Sequence, residues 1–187
     1  MPSKTHTETT HTITSLLPAE FDVFLEYLNS HLADNGNNGQ AYFQPLSRDA
    51  SRFPTNKAEA FKTGMRVAVG AAGWRRVWVV RDAGGRIVGH IDLRAHGERF
   101  ATHRCLLGMG VQRGHRQLGL GGRLVAHAEQ WAIEAGFAWI DLQVLSVNAP
   151  AIKLYERAVF QKTGEIPDMF RIDGLSFSYT SMSKCLG

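Results

Sequence analysis

Cysteine is scarce in this chain of 187 residues: Cys105 and Cys185 are the only two, at no metal-binding or redox spacing. A disulfide framework is thereby excluded, and both read as free thiols of a reducing cytoplasm. No run of about 18 apolar residues occurs, so no membrane-spanning helix is expected. The opening MPSKTHTETTHTITS lacks the apolar segment of a secretory signal. Residues 1–9 are expected to form a flexible lead-in and residues 10–187 one folded domain, since neither repeats nor a long linker divide the chain. The eight histidines include no HExxH pair and no Cys/His ligand spacing, so no metal is expected. Net charge is +4, from 21 basic and 17 acidic residues, without the dense basic stripe of a nucleic-acid binder. A mild excess of that kind suits a small polyanionic ligand better than a nucleic acid.

Periodicity supplies the elements. Residues 11–17 read as a strand, and Pro18 opens a helix in which Phe21, Phe24, Leu25, Leu28 and Leu32 recur at helical spacing. The turn formers DNGNNG at 34–39 stop it; 40–56 are irregular, with Pro45 and Pro54, and a second helix is expected over 57–69. The period then changes. RRVWVV (75–80) and RIVGHIDLRA (86–95) read as strands joined by the hairpin signal DAGG, with Ile87, Gly89, Ile91 and Leu93 facing one way and Val88, His90, Asp92 and Arg94 the other. RCLLGMGV (104–111) is a further strand. A helix follows with the stripe Leu120, Leu124, Ala128, Trp131 and Ala135, ended by Gly136. A strand at 138–145, a helix capped by Asn148 with Pro150 in its first turn, and a hairpin about Asp173-Gly174 complete the chain. The order β-α-α-β-β-β-α-β-α-β-β describes an α+β domain, an α/β/α sandwich whose mixed, mostly antiparallel sheet is flanked by helices.

The stretch VQRGHRQLGLGGRL, 111–124, carries the strongest chemical signal. Gly119, Gly121 and Gly122 stand between a strand and a helix start, flanked by Arg113, Arg116 and Arg123. The first turn of a helix has N–H groups without intrahelical partners, and glycines let an anion approach them without meeting a Cβ. The reading is a phosphate or pyrophosphate cradle. Neither GxxxxGK[ST] nor GxGxxG is present; the pattern is R-x-x-G-x-G. A glycine turn needed only for close packing is the alternative at this point.

Downstream, NAPAIKLYERAVF (148–160) matches N-x-x-A-x-x-L-Y-x-x-x-G-F at Asn148, Ala151, Leu154, Tyr155 and Phe160. These two motifs, in order and with a helix and strand between them, resemble the GNAT superfamily of N-acetyltransferases over roughly residues 75–185. The glycine usual before the final Phe is Val159 here, so the helix is expected to end differently, since Val does not take a left-handed conformation cheaply. The resemblance implies acetyl-CoA as co-substrate. Its pyrophosphate would rest on the N–H groups of Gln117, Leu118, Gly119, Leu120, Gly121 and Gly122, with Arg116 a supplementary cation of the cofactor site, and its arm beside the strand ending at Val111. Gly108 and Gly110 fit a bulge opening that edge. The N–H of Met109 or Val111, beside Gly110, would hold the thioester carbonyl. Asn148 would contact the arm, and Tyr155 would lie against the cofactor and act as general acid, a phenol being a proton donor at neutral pH.

The resemblance also implies a general base, yet Cys105 and Leu106 occupy the strand region where many relatives carry Glu. His103 and Glu98, at that strand's entrance, are the expected catalytic partners of Tyr155. His90 and Asp92 on the preceding strand, or a water chain, are the alternatives, and Cys105 has no evident activating partner. The implied function is transfer of acetyl to a primary amine of a small molecule or peptide, by direct attack on the thioester. A non-catalytic acyl-CoA sensor on the same fold is the other function, and a nucleic-acid surface built on the arginines a third. Residues 33–66, with Asp34, Asp49 and Glu59, are expected to line the acceptor side. The expected location is cytoplasmic, with no membrane or nucleic-acid partner and a homodimer as a candidate assembly.

Overall fold

The computed structural model describes residues 11–187, and the expected lead-in at 1–9 lies outside them. The described chain runs β1 (Thr12–Ser15), α1 (Phe21–Leu32), α2 (Thr55–Gly64), β2 (Arg75–Arg81), β3 (Ile87–Ala95), β4 (Arg104–Val111), α3 (Leu120–Glu134), β5 (Trp139–Leu145), α4 (Ala149–Arg157), β6 (Gln161–Ile172) and β7 (Leu175–Cys185). The strands form one seven-stranded sheet in the order β1-β2-β3-β4-β5-β7-β6. All neighbours are antiparallel except β4 and β5, which are parallel because α3 carries the chain back between them.

Two cores separate the helices into layers. Phe21, Phe24 and Leu28 of α1 and Ala58 and Phe61 of α2 pack on Val77 and Val79. Leu120, Leu124, Val125 and Ala128 of α3 pack on Val80, Val88, Ile91 and Leu93 on the opposite face. β3 is therefore buried on both sides, and the polar set of its alternation, His90 and Asp92, is as enclosed as the apolar set.

Four expectations need correction. Ile87 packs in the α1 layer and Val88 with Ile91 and Leu93 in the α3 layer, the reverse of the expected alternation, because a register shift between Val80 and Arg81 interrupts the start of β3. The second helix starts at Thr55, straight after Pro54, and ends at Gly64, where the chain returns so closely that a Cβ would lie 2.6 Å from the Gly73 carbonyl. The stripe of α3 ends in buried Ala132, with Trp131 half-buried and Ala135 exposed beyond the last turn. The first strand of the hairpin is longer than its short apolar run suggested. It begins at Gln161, and register shifts at 162/164 and 166/170 carry it past Pro167.

The long connection from α1 to α2 is organised by Asn35, which is fully buried. Its Nδ2 donates to the carbonyls of Gln44 and Leu46 and to Ser51 Oγ, while its Oδ1 accepts from the N–H of Phe43 and Gln44. Tyr42 then reaches the β6–β7 turn, donating to Asp173 at 2.5 Å. The loop is thereby fixed beside the C-terminal end of β4.

Candidate active site

The seam between β4 and β5 is closed at one end and open at the other. Pairing covers only Arg104, Cys105 and Leu106 against Trp139, Ile140 and Asp141. Beyond it, β4 continues to Val111 on β3 and β5 continues to Leu145 on β7, so their facing edges part. The Gln112 N–H bonds the Val88 carbonyl, which fixes the alternation of β4. The N–H groups of Met109 and Val111 consequently point into the gap. An extended chain with main-chain-like polar groups can enter there as an added strand.

The open end leads into the glycine turn. Gln117 (φ 65°) and Gly119 (φ 74°) are both left-handed and alternate with ordinary residues, so that successive N–H groups converge on one concavity. Among the described residues, none of the six N–H groups at 117–122 donates to a protein acceptor; the first donor is Arg123, to the Gly119 carbonyl. Gly119 and Gly122 border open space. At Gly121 a Cβ would lie 3.0 Å from Leu154, so close packing accounts for that glycine, while the other two leave the room that an approaching anion would need. The Arg116 guanidinium is not a free cation. It donates to the Val111 carbonyl (3.0 Å) and to Gln40 (2.7 Å) and lies over the Phe43 ring. Arg123 is held by the His11 carbonyl at 2.6 Å, while Arg113 is exposed.

The GMG pair makes no bulge, because the β3–β4 register is unbroken from Gly89↔Val111 to Ala95↔Cys105. The two glycines make room for polar side chains on the α1 side instead. A Cβ at Gly108 would lie 2.7 Å from Asp92, whose carboxylate is shared by Arg94 (3.1 Å) and Arg75 (3.5 Å). At Gly110 it would lie 2.6 Å from His31 Nε2 and 2.9 Å from His90 Cε1. His90 Nδ1 and the Tyr27 hydroxyl are 3.0 Å apart, and that hydroxyl also donates to the Gly110 carbonyl at 3.0 Å. His31 stacks parallel on Tyr27 and against Phe43. Burial lowers both imidazoles. His90 falls to about 4, with Asp92 opposing the drop and Arg75 adding to it; His31 falls to about 3, helped by His90 and Arg116. Both are neutral near pH 7.

Tyr155 projects from α4 at the same end of the sheet and is buried beside Phe160. Burial raises its hydroxyl above the usual phenol value, and the Asp92 charge adds to the rise, so it holds its proton at neutral pH. Asn148 caps α4, its Oδ1 accepting from the Ala151 N–H at 3.4 Å. Val159 does adopt the left-handed conformation (φ 67°). The N–H of Phe160 bonds the Tyr155 carbonyl and that of Val159 the Glu156 carbonyl, so the helix closes as a glycine would have closed it.

The structure thus gathers Met109, Gly110, Val111, the 116–122 turn, Asn148 and Tyr155 at the open end. It does not bring His103 and Glu98 there. Both are exposed at or before the start of β4, some 25 Å of strand from Val111 at about 3.3 Å per residue. Cys105 is at the closed end, its thiol pushed up to about 12 by burial and by Asp141. Asp49 and Glu59 are exposed, and of the three expected acceptor-side acids only Asp34 lies near Arg116. A groove of about 220 Å³ between α1 and α2, lined by Asp22, Arg52, Glu59 and Lys62, contains none of the residues at the open end. His31 and Tyr27 were missed by sequence reasoning. Their signal was the spacing Phe24, Tyr27, His31 on the buried face of α1. Among the described residues no helix is long and apolar enough to cross a membrane, and no three His, Cys, Asp or Glu side chains form a metal-binding group.

Residues 44–160 match the family model described as Acetyltransferase (GNAT) family. The N-terminal acetyltransferase A complex catalytic subunit NAA10 of Arabidopsis thaliana is 30% identical over 100 residues, 52% of each chain, so this chain spans about half the length of that relative. A GNAT-family acetyltransferase from Streptococcus pneumoniae superimposes with a TM-score of 0.77 at 19% identity, covering 95% of this chain and 100% of the other. A phosphinothricin acetyltransferase from Sinorhizobium meliloti, solved in complex with acetyl-CoA, gives 0.74 at 18%, covering 95% and 89%. These last two likenesses concern the fold.

Proposed function

The chain belongs to the GNAT acetyltransferase family, and on that premise we propose that it transfers acetyl from acetyl-CoA to a primary amine of a small molecule or peptide. The observation carrying this reading is the gap between β4 and β5 that runs into six unpartnered N–H groups at the mouth of α3, with a protonated phenol beside it. The diphosphate of the co-substrate sits on the N–H groups of 117–122, where the helix dipole adds partial positive charge. Its pantetheine arm follows the open edge of β4, and the N–H of Met109 or Val111 donates to the thioester oxygen as negative charge develops there. The amine lone pair attacks the carbonyl carbon, the C–S bond breaks, and the Tyr155 hydroxyl protonates the departing sulfur. Arg116 serves from outside the phosphates, clamping the Val111 carbonyl and the acceptor-side loop.

The test is coenzyme A release with a panel of amines, among them a peptide with a free N-terminus and phosphinothricin, the acceptor classes suggested by the names of the similar proteins. Tyr155→Phe is expected to bind acetyl-CoA by calorimetry as the parent does, with turnover lowered at least about tenfold, a floor below the ~100-fold at which general-acid effects usually start. Absence of heat with acetyl-CoA would remove the reading altogether. Binding without turnover on any amine would favour a sensor.

A further inference from the structure

With no carboxylate on β4 at the gap, the proton leaving the attacking amine needs another acceptor. We infer that His90 Nε2 receives it, and that Tyr27 and the Gly110 carbonyl set the imidazole in the required tautomer; this rests on the transferase reading above. The hydrogen-bond accounting runs through one hydroxyl. Tyr27 has a single O–H, and of its two partners at 3.0 Å the Gly110 carbonyl can only accept. Both contacts are hydrogen bonds together only when Nδ1 carries the ring proton and donates it to the Tyr27 oxygen, and that is the inferred arrangement. The lone pair is left on Nε2, which bonds to no protein group among the described residues. The neighbouring Cε1 edge of the ring lies over Gly110, between the two residues whose N–H groups face the thioester's path.

His31 is set the opposite way. Its Nδ1 is buried without a partner, and a buried orphan N–H is rarer and costlier than a buried lone pair. Its proton therefore sits on Nε2, directly above Gly110, and His31 is a donor to the acceptor molecule rather than a base. The glycine at 110 is what admits both rings.

The proton balance is complete. The amine nitrogen bonds to the carbonyl carbon and becomes cationic, and the electron-withdrawing oxygen and sulfur on that carbon make its N–H more acidic than that of a free ammonium. Its proton passes to His90 Nε2, the C–S bond breaks, sulfur takes the Tyr155 proton, and the proton on His90 restores Tyr155 through solvent. The net change is amine plus thioester to amide plus thiol. The charged or titratable groups around His90 are Tyr27 and His31 from α1, Asp92 on its own strand, Arg75 from β2 and, beyond Tyr27, Arg116.

The experiment has two arms. Long-range proton–nitrogen NMR on histidine-labelled protein reads each ring's tautomer without any acceptor. Nδ1–H is expected at His90 and Nε2–H at His31, with Tyr27→Phe losing the preference at His90; Nε2–H at His90 in the parent overturns the inference. In kinetics with the best amine of the panel, His90→Gln is expected to lower kcat about 100-fold with unchanged acetyl-CoA affinity. Tyr27→Phe, a positioning change, is expected to lower it about tenfold and to make it dependent on buffer base. Added imidazole is expected to raise kcat of His90→Ala but not of the parent. A folded His90→Gln with kcat within threefold of the parent overturns the assignment while leaving the transferase standing. No turnover by the parent on any amine removes both.

Discussion

The two ends of the β4–β5 seam are made from the same pair of strands and behave as opposites. At the closed end the strands are paired and then pinned. Asp141 accepts two hydrogen bonds from Arg104 (2.7 and 2.5 Å) and one from Ser183 (2.5 Å), with His96 at 3.3 Å and the guanidinium over the Trp139 ring. At the open end the gap faces free N–H groups, two uncharged imidazoles and a protonated phenol, and its nearest charges, Arg116 on the Val111 carbonyl and Asp92 shared by Arg75 and Arg94, are engaged with the protein. The closed end holds charge that is matched within the fold. The open end keeps N–H donors at 117–122 without protein acceptors among the described residues. A strongly paired hinge is what lets the other end of two neighbouring parallel strands stand apart, since unpaired strand edges are otherwise costly.

The sharpest way to separate the ends is acid. Because folding lowers the pKa values of His31 and His90, their contribution is complete above the unfolded value of about 6.5 and is lost as pH falls toward about 3 and about 4. At ~1.4 kcal/mol per unit, each histidine is expected to remove about 2 kcal/mol between pH 6.5 and 5, or about 4 together. Guanidinium unfolding midpoints between pH 7.5 and 5 measure this, and His90→Gln should remove roughly half of the slope. Stability that stays level over that interval would mean the open end is wetter than its packing indicates.

The closed end should respond differently. Burial alone would raise the Asp141 carboxyl, but hydrogen bonds from Arg104 and Ser183, with the charge of Arg104, hold it below the usual range. Its contribution is present above about pH 4, the ordinary carboxylate value, and is lost only as pH falls below it. Asp141→Ala is expected to cost about 2 kcal/mol in denaturant unfolding, since it strands a half-buried guanidinium and the Ser183 hydroxyl. The acid slope above pH 5 should be untouched. A variant that shifted that slope instead would show the two ends to be one electrostatic unit.

Much of this was legible in the sequence, for reasons that differ by residue. The element order followed from periodicity, and the turn of unpartnered N–H groups from the positions of Gly119 and Gly122, because strand alternation and helix-start chemistry are local. Element ends were misplaced locally, as at Gly64 and Gln161, whereas the failures at the site are long-range. Gly108 and Gly110 read as a bulge because their real partners, Asp92, His31 and His90, lie up to 79 positions away in sequence (110 minus 31) and meet them only across the sheet. His103 and Glu98 were favoured for their closeness to β4 in sequence, yet a strand carries its two ends far apart. His31 stood unremarked on the apolar stripe of α1, where an imidazole is hard to distinguish from core until the facing residue is known to lack a side chain.

The smallest effect concerns the residue that closes α4 over the open end. Val159 is left-handed and two-thirds exposed (66%), so no packing offsets its backbone strain. For a β-branched residue that conformation costs on the order of 1–2 kcal/mol, which glycine would not incur. Glycine adds freedom to the unfolded chain, worth under about 1 kcal/mol, so Val159→Gly is expected to stabilise by about 0.5–1 kcal/mol in denaturant unfolding. The bonds it relaxes are those of Phe160 and Val159 to the last turn of α4, and the Phe160 N–H is held by the carbonyl of Tyr155 itself. If the strain only secures the helix end, kcat is unchanged. If it tensions Tyr155 against the gap, stability rises while kcat falls. Measuring both in one variant decides whether the strained residue at this end of the seam belongs to the fold or to the chemistry.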